Sequence, residues 1–413
     1  MKSEEITKSL PVTKRMVWEA YKQVKRNGGS AGVDKESIEK FDTNLSKNLY
    51  KIWNRMASGS YFPPAVRTVL IPKKQGGSRP SGIPTVGDRI AQTVVKQHVE
   101  PMLDSMFHNS SYGYRPGRSA HHAVKACELR CREYAWVIDV DIKGFFDNID
   151  HTIMMELLEK HTQGKWVLMY IERWLKAPVE QPDGEQVKRE KGTPQGGVAS
   201  PLLANLYLHH AFDQWMQDEH RSNPFERYAD DIIAHCRTRE EAEQLLVLIK
   251  ERLQQYKLEL HPDKTKIVYC KDYRRKEEHE HRSFTFLGFS LQPRTMRSQR
   301  GGRFLVFRAA ISQQAKRSIR ESIAEVIRPT RYKHSIVWMA EKLNAKIRGW
   351  INYYAAFMKW EMLEVFSYLN GLLMKWVRNV YKIQGKRKAF RKLREIQRQV
   401  PKLFYHWEYG IRN

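Results

Sequence analysis

Cysteine is scarce. The four present, Cys127, Cys131, Cys236 and Cys270, are spaced for neither a zinc knuckle nor a disulfide framework. No apolar run approaches the roughly 18 residues that a bilayer demands, and Met1-Lys2-Ser3-Glu4-Glu5 opens no signal peptide, so a soluble intracellular protein is expected. No P-loop lysine follows Gly76-Gly77, which argues against a Walker-type nucleotide site. The tempting metal box Glu277-Glu278-His279-Glu280-His281 lacks HExxH spacing and reads as a solvated loop. Acid is short too, and unevenly so. From Leu291 to Asn413, 27 Lys and Arg stand against 7 Glu and no Asp, whereas the first 290 residues hold 45 against 39. A polycationic third calls for a partner with a dense phosphate backbone, bound through counterion release; an anionic membrane surface is the competing reading.

What is present is organised around Phe225-Glu226-Arg227-Tyr228-Ala229-Asp230-Asp231-Ile232-Ile233-Ala234-His235-Cys236. Apolar runs on either side predict two strands joined by a tight turn with the acids at its tip. Side chains alternate faces along a strand, so neighbouring aspartates converge only where the chain turns, and two repelling carboxylates there want a divalent cation. A second cluster precedes it, Trp136-Val137-Ile138-Asp139-Val140-Asp141-Ile142, with Asp139 and Asp141 on one strand face and Val140 and Ile142 on the other. Acids in an apolar strand are expensive unless paired or metal-bound.

Around these, Val12 to Pro63 is predicted helical, with a loop at Gly28–Asp34. Val66 to Pro84 is a β-ribbon whose Gly76-Gly77 tip carries Lys73, Lys74 and Arg79, groups suited to a triphosphate. Asp88 opens a helix ending near Asn109, and Ser111 to Ser119 is a basic aromatic loop. A helix covers His151–Trp174, Thr193-Pro194-Gln195-Gly196-Gly197 brings backbone close to a ligand, and another helix runs from Arg239 to Tyr256. Leu258 to Val268 holds a basic turn with Lys264. Ser283–Leu291 alternates and slips register at Gly288, which predicts a bulge. Beyond Phe304 the pattern is all helix, with stripes at Ile311, Ala315, Ile319 and Ile323, then Leu343 to Tyr354, then Leu369 to Val380. The best candidate boundary is Gln292–Gly302.

Ile71-Pro72-Lys73 with Arg79-Pro80, Tyr112-Gly113-Tyr114-Arg115-Pro116-Gly117, Asp141-Ile142-Lys143-Gly144-Phe145-Phe146-Asp147, the Pro-Gln-Gly-Gly loop, Tyr228-Ala229-Asp230-Asp231 and Phe286-Leu287-Gly288-Phe289 occur in the order of a reverse transcriptase. With Ile347-Arg348-Gly349-Trp350-Ile351-Asn352-Tyr353-Tyr354, the chain resembles the group II intron-encoded reverse transcriptase/maturases from about Val12 onward. The resemblance implies an α+β right-hand polymerase: an N-terminal extension with helical and β-ribbon fingers (1–125), a palm with antiparallel sheet (126–300) and an all-α thumb called domain X (301–413). It implies two Mg²⁺ ions on Asp141, Asp230 and Asp231, with Ile142 beside Asp141, and dNTP contacts from Lys73, Arg79, Ile142, Phe146 and Gln195. Asp141 is chosen over Asp139 because Phe146 then falls where the family places the aromatic that screens the sugar. Contacts to template, primer or intron RNA are expected at Arg115, Lys264, Gly288, Arg348, Lys375 and Arg378.

The implied function is copying RNA into cDNA from a primer 3′-hydroxyl, together with binding group II intron RNA for splicing and retrohoming, in a bacterial cytoplasm with nucleoid or ribonucleoprotein association. Ser81 stands where the family has leucine after Arg-Pro, a departure that bears on local packing only. No His/Asn and Cys-rich endonuclease module follows Trp407, so second-strand cleavage by this chain is not expected. A splicing helper with a vestigial polymerase site and a repair or defence enzyme of the same architecture stay open, as does oligomeric state.

Overall fold

The computed structural model describes residues 9–72, 78–298, 301–328 and 334–410. Two compact units emerge, Met1–Ser119 with Ile138–Lys266, and Ala120–Val137 with Ile267–Asn413.

The first unit starts with α1 (Lys14–Asn27), α2 (Ile38–Asp42) and α3 (Leu45–Ala57). Val17, Ala20, Tyr21 and Val24 recur three and four apart, so α1 buries one stripe. Arg89 donates to the carbonyls of Gly28 (2.9 Å) and Ser30 (3.1 Å) and so fixes the loop that follows. The ribbon forms as predicted, β1 (Val66–Pro72) pairing antiparallel with β2 (Ser78–Ile83). Next, α4 (Val86–Met106) corrects one expectation: Thr85, not Asp88, caps it, its Oγ1 accepting from the Asp88 amide at 3.1 Å. Asp88 is buried, accepting from Tyr61, Gln92 and Trp174.

After α5 (Ala120–Glu133), which belongs to the second unit, come β3 (Trp136–Val140), α6 (Phe145–Asn148), α7 (His151–His161) and α8 (Lys165–Leu175). The single helix expected over His151–Trp174 is therefore two, interrupted around Gly164, where Thr162 Oγ1 accepts from the Gly164 amide. Short strands β4 (Val179–Glu180) and β5 (Gln186–Val187) extend the ribbon into a sheet of order β2-β1-β4-β5. Then α9 (Ser200–Leu208) passes through a π-turn (His209–Asp213) into α10 (Gln214–Glu219). The hairpin β6 (Phe225–Tyr228) and β7 (Asp231–Cys236) precedes α11 (Arg239–Gln255), opened by a Thr238–Glu241 capping box. With β8 (Lys266–Tyr269) the sheet order is β6-β7-β3-β8, and β3 and β8 are each divided between the units.

In the second unit, β9 (Phe284–Phe286), β10 (Phe289–Arg297) and β11 (Arg303–Ile311) form a meander. The slip at Gly288 is a hairpin turn rather than a bulge: Phe286 pairs with Phe289, and Leu287 and Gly288 both take positive φ, 51° and 81°. The candidate boundary at Gln292–Gly302 falls within the β10–β11 hairpin, and Ile311 ends a strand instead of opening a helix. Ser312 caps α12 (Gln313–Ile327), followed by α13 (Ile336–Tyr354), α14 (Glu361–Val380), α15 (Lys386–Gln399) and α16 (Tyr405–Glu408). Their stripes, including Ile319, Leu343, Ile347, Leu369, Leu373 and Leu393, share one core. Among the described residues no helix is long and apolar enough to cross a membrane.

Candidate active site

The acids meet on the central sheet of the first unit. Tyr228 pairs with Asp231, so Ala229 and Asp230 alone form the turn, and Ala229 takes φ 57°. Asp141 follows β3, held by its backbone: its carbonyl accepts from the His261 amide at 2.8 Å, and its amide donates to Thr265 Oγ1 at 3.3 Å. Ile142 is buried and bridges Leu260. Lys264 Nζ lies 3.5 Å from Asp141 Oδ2, which puts this basic residue beside the acids.

Electrostatics describe the crowding. Burial first, then the charges of Asp231 and Asp141, push the Asp139 carboxyl up to about 7, against a smaller pull from Lys266. Asp231 is likewise pushed up to about 7, by enclosure in protein first and then by Asp230 and Asp141. Asp231 is nonetheless exposed at the end of the turn, so it is both crowded by neighbouring carboxylates and accessible to a ligand. Carboxylates that resist ionising together fit hard divalent cations, which prefer oxygen donors and relieve the repulsion. The donor set Asp141, Asp230 and Asp231 therefore suits a metal. Asp139, passed over in the sequence, is part of the same electrostatic cluster.

Two loops frame the acids. Gly144, at φ 55°, turns the chain into α6, where Phe145 is buried and Phe146 half-buried. Thr193 donates its amide to the Phe146 carbonyl (2.8 Å) and Gly192 to that of Ile149 (2.7 Å). On the other side the Gln195 carbonyl accepts from the Gly82 amide (2.6 Å) and from Ser81 Oγ (3.2 Å). Ser81, read as a packing variation, thus helps to fasten the Gln195 loop. Gln92, which sequence reasoning missed, accepts the Val198 amide at 2.8 Å ahead of α9. Lys73 lies outside the described residues; Arg79 stands opposite Ile71 in the ribbon, its side chain also outside them.

Of the expected RNA contacts, Arg115 is corrected. Its guanidinium is spent inside the unit, donating to Asp104 Oδ1 (2.6 Å) and to the carbonyls of Asp104, His108 and Ser111, and the side chain is 6% exposed. It locks a loop. In the second unit, Gly288 sits at the hairpin turn, where Tyr353 donates to the Leu287 carbonyl (2.9 Å) and a Cβ on Gly288 would come within 3.1 Å of the Tyr354 hydroxyl. Arg348 is exposed, its guanidinium 5.1 Å from the Tyr405 ring centroid. Lys375 and Arg378 are exposed and line a cavity of about 260 Å³ with Lys386, Tyr368 and Leu372.

Aspartates at the end of a strand and on an adjacent hairpin turn, framed by a glycine-rich loop and an aromatic, form the arrangement expected of a nucleotidyl-transferring polymerase. Residues 71–291 match the family described as reverse transcriptase (RNA-dependent DNA polymerase), and 316–394 match the group II intron maturase-specific domain. The chain belongs to the reverse transcriptase family, in its group II intron maturase branch. It is 30% identical to Protein YkfC of Escherichia coli (strain K12) over 63% of this chain and 75% of that protein. It is 35% identical to Group II intron-encoded protein LtrA of Lactococcus lactis subsp. cremoris over 46% of this chain, but spans only 32% of that protein. A telomerase chain from Candida albicans, solved in complex with a TWJ fragment of telomeric RNA, aligns over 90% of this chain and 67% of its own with TM-score 0.47 and 12% identity.

Proposed function

We propose that this protein copies RNA into DNA from a primer 3′-hydroxyl, using two Mg²⁺ ions held by Asp141, Asp230 and Asp231 with the Ile142 backbone alongside. The single observation that carries the reading is the convergence of Asp139, Asp141, Asp230 and Asp231 on one sheet, where burial first and the neighbouring carboxylates second raise Asp139 and Asp231 to about 7. Bound there, divalent ions lower the pKa of the primer hydroxyl and neutralise charge on the triphosphate and leaving pyrophosphate. Lys73 and Arg79 hold the triphosphate, the arginine as a bidentate fork. Phe146 stands against the sugar and excludes a ribose 2′-hydroxyl, while Gln195, fixed by its bonded carbonyl, meets the incoming nucleotide. In this reading residues 1–125 act as fingers, 126–300 as palm and 301–413 as thumb.

The second role is binding structured group II intron RNA for splicing and mobility, through basic and aromatic side chains of the C-terminal helices, Arg348, Lys375 and Arg378 among them. Primer extension on an RNA template with dNTPs and Mg²⁺ tests the polymerase. Metal-dependent cDNA from the parent but not from Asp230→Ala is the expected result. No cDNA from either, with tight salt-sensitive binding to structured RNA, would instead identify a splicing helper.

A further inference from the structure

Arg227 is two residues from the turn and wholly buried. A guanidinium without solvent must find every partner inside the protein, and this one does so around the catalytic turn. Nε and Nη2 donate to Asp213 Oδ1 and Oδ2 at 2.7 and 2.5 Å, a bidentate pair. Nη1 donates to Asn205 Oδ1 at 2.9 Å and to the carbonyl of Ala229 at 3.1 Å, the residue just before Asp230. Asn205 in turn donates to the Gly113 carbonyl at 2.7 Å. Gly113 lies so close that a Cβ on it would collide with the Ala229 amide nitrogen. The segment around it is bonded to β6 through Arg227 itself, whose amide and carbonyl bond Ser110 and Tyr112. Ala229 is thus bonded at its carbonyl by Arg227 and closely packed at its amide by Gly113.

The π-turn explains how both acceptors reach one guanidinium. Residues eight apart on a regular α-helix diverge by about 80°, which would turn Asp213 away from the face of Asn205. In the π-turn the Gln214 amide bonds the His209 carbonyl, five residues back, which absorbs one residue and returns Asp213 to that face.

We propose that Arg227, aligned by Asp213 and Asn205, is a positioning residue that sets where Asp230 and Asp231 present their carboxylates to metal. The inference rests on the polymerase reading above for its catalytic consequence, but not for its effect on metal binding. A displacement of about 1 Å at a catalytic group costs on the order of 10²-fold in rate.

The test compares the parent chain with Arg227→Lys and Asn205→Ala by three measurements: Mn²⁺ affinity from electron paramagnetic resonance, primer extension resolved into kcat and KM for dNTP, and thermal melting. Arg227→Lys is expected to weaken Mn²⁺ binding about tenfold and to lower kcat by roughly 10- to 100-fold, with KM within about threefold of the parent. Asn205→Ala moves both in the same direction by less. Parental Mn²⁺ affinity and kcat in both variants, whatever happens to melting, would overturn the proposal. If Arg227→Lys does not fold, Asn205→Ala decides alone. Absence of parental cDNA counts against the polymerase reading, and the Mn²⁺ titration still decides the clamp.

Discussion

The two units place charge in opposite ways. In the first, acids gather on one strand and one turn, and their positions are set by main-chain bonds and a buried arginine. In the second, the charge is basic and rides on exposed positions of helices whose shared core would tolerate many arrangements of the same surface. Phosphoryl transfer needs fixed geometry at the reacting atoms, whereas attraction to a phosphate backbone needs density of charge. The contrast separates chemistry from grip, and substitutions can press on each side of it.

The largest effect is expected from Asp230→Ala. Losing several kcal/mol of metal-borne stabilisation lowers cDNA synthesis by about 10³-fold or more, while binding to structured RNA, read by filter retention, stays near the parental value. Loss of both would erase the separation. A triple reversal, Lys375→Glu with Arg378→Glu and Lys386→Glu around the second unit's cavity, should act conversely. Its log affinity for RNA against log salt should flatten by about 2, with extension of a short annealed primer unaffected at saturating concentration. Gly288→Ala is smaller: a left-handed turn position facing the Tyr354 hydroxyl costs about 1–2 kcal/mol, seen as a lower melting temperature.

A further effect is one of pH. Asp139 holds its proton up to about 7 in the folded state but only to the ordinary carboxylate range when unfolded. The folded state binds more protons, so metal-free stability falls as pH rises from about 4 to 7 and then levels. Asp139→Asn should flatten that decline and gain most at pH 8; an unchanged pH profile of melting would remove Asp139 from the cluster.

The acidic hairpin was legible because its alternation and its turn are local, Tyr228 to Asp231. The ribbon at Val66–Pro84 was legible for the same reason. Leu287 was not: leucine gives no sign of positive φ, and the bond that stabilises it comes from Tyr353, 66 residues away. Ile311 shares the four-residue spacing of the helix after it, so the strand end was absorbed into the helix; Ser312, its N-cap, was the missed start signal. Arg115 and Arg227 illustrate the same limit. An arginine looks alike in sequence whether it faces RNA or a buried aspartate, and the partners Asp104 and Asp213 are assigned only by folding. Asn205 and Asp213 share no face until the π-turn realigns them.

That turn has a genetic corollary. Inserting one residue between His209 and Asp213 would preserve every aspartate, every strand and the reading frame, yet rotate Asp213 by about 100° from its partner, whereas deleting one would resolve the π-turn into regular helix and keep the two on one face. In an insertion scan this stretch, remote from the reacting atoms along the chain, should behave as though the active site itself had been cut. Insertions at the exposed tip between β4 and β5 should pass almost unnoticed.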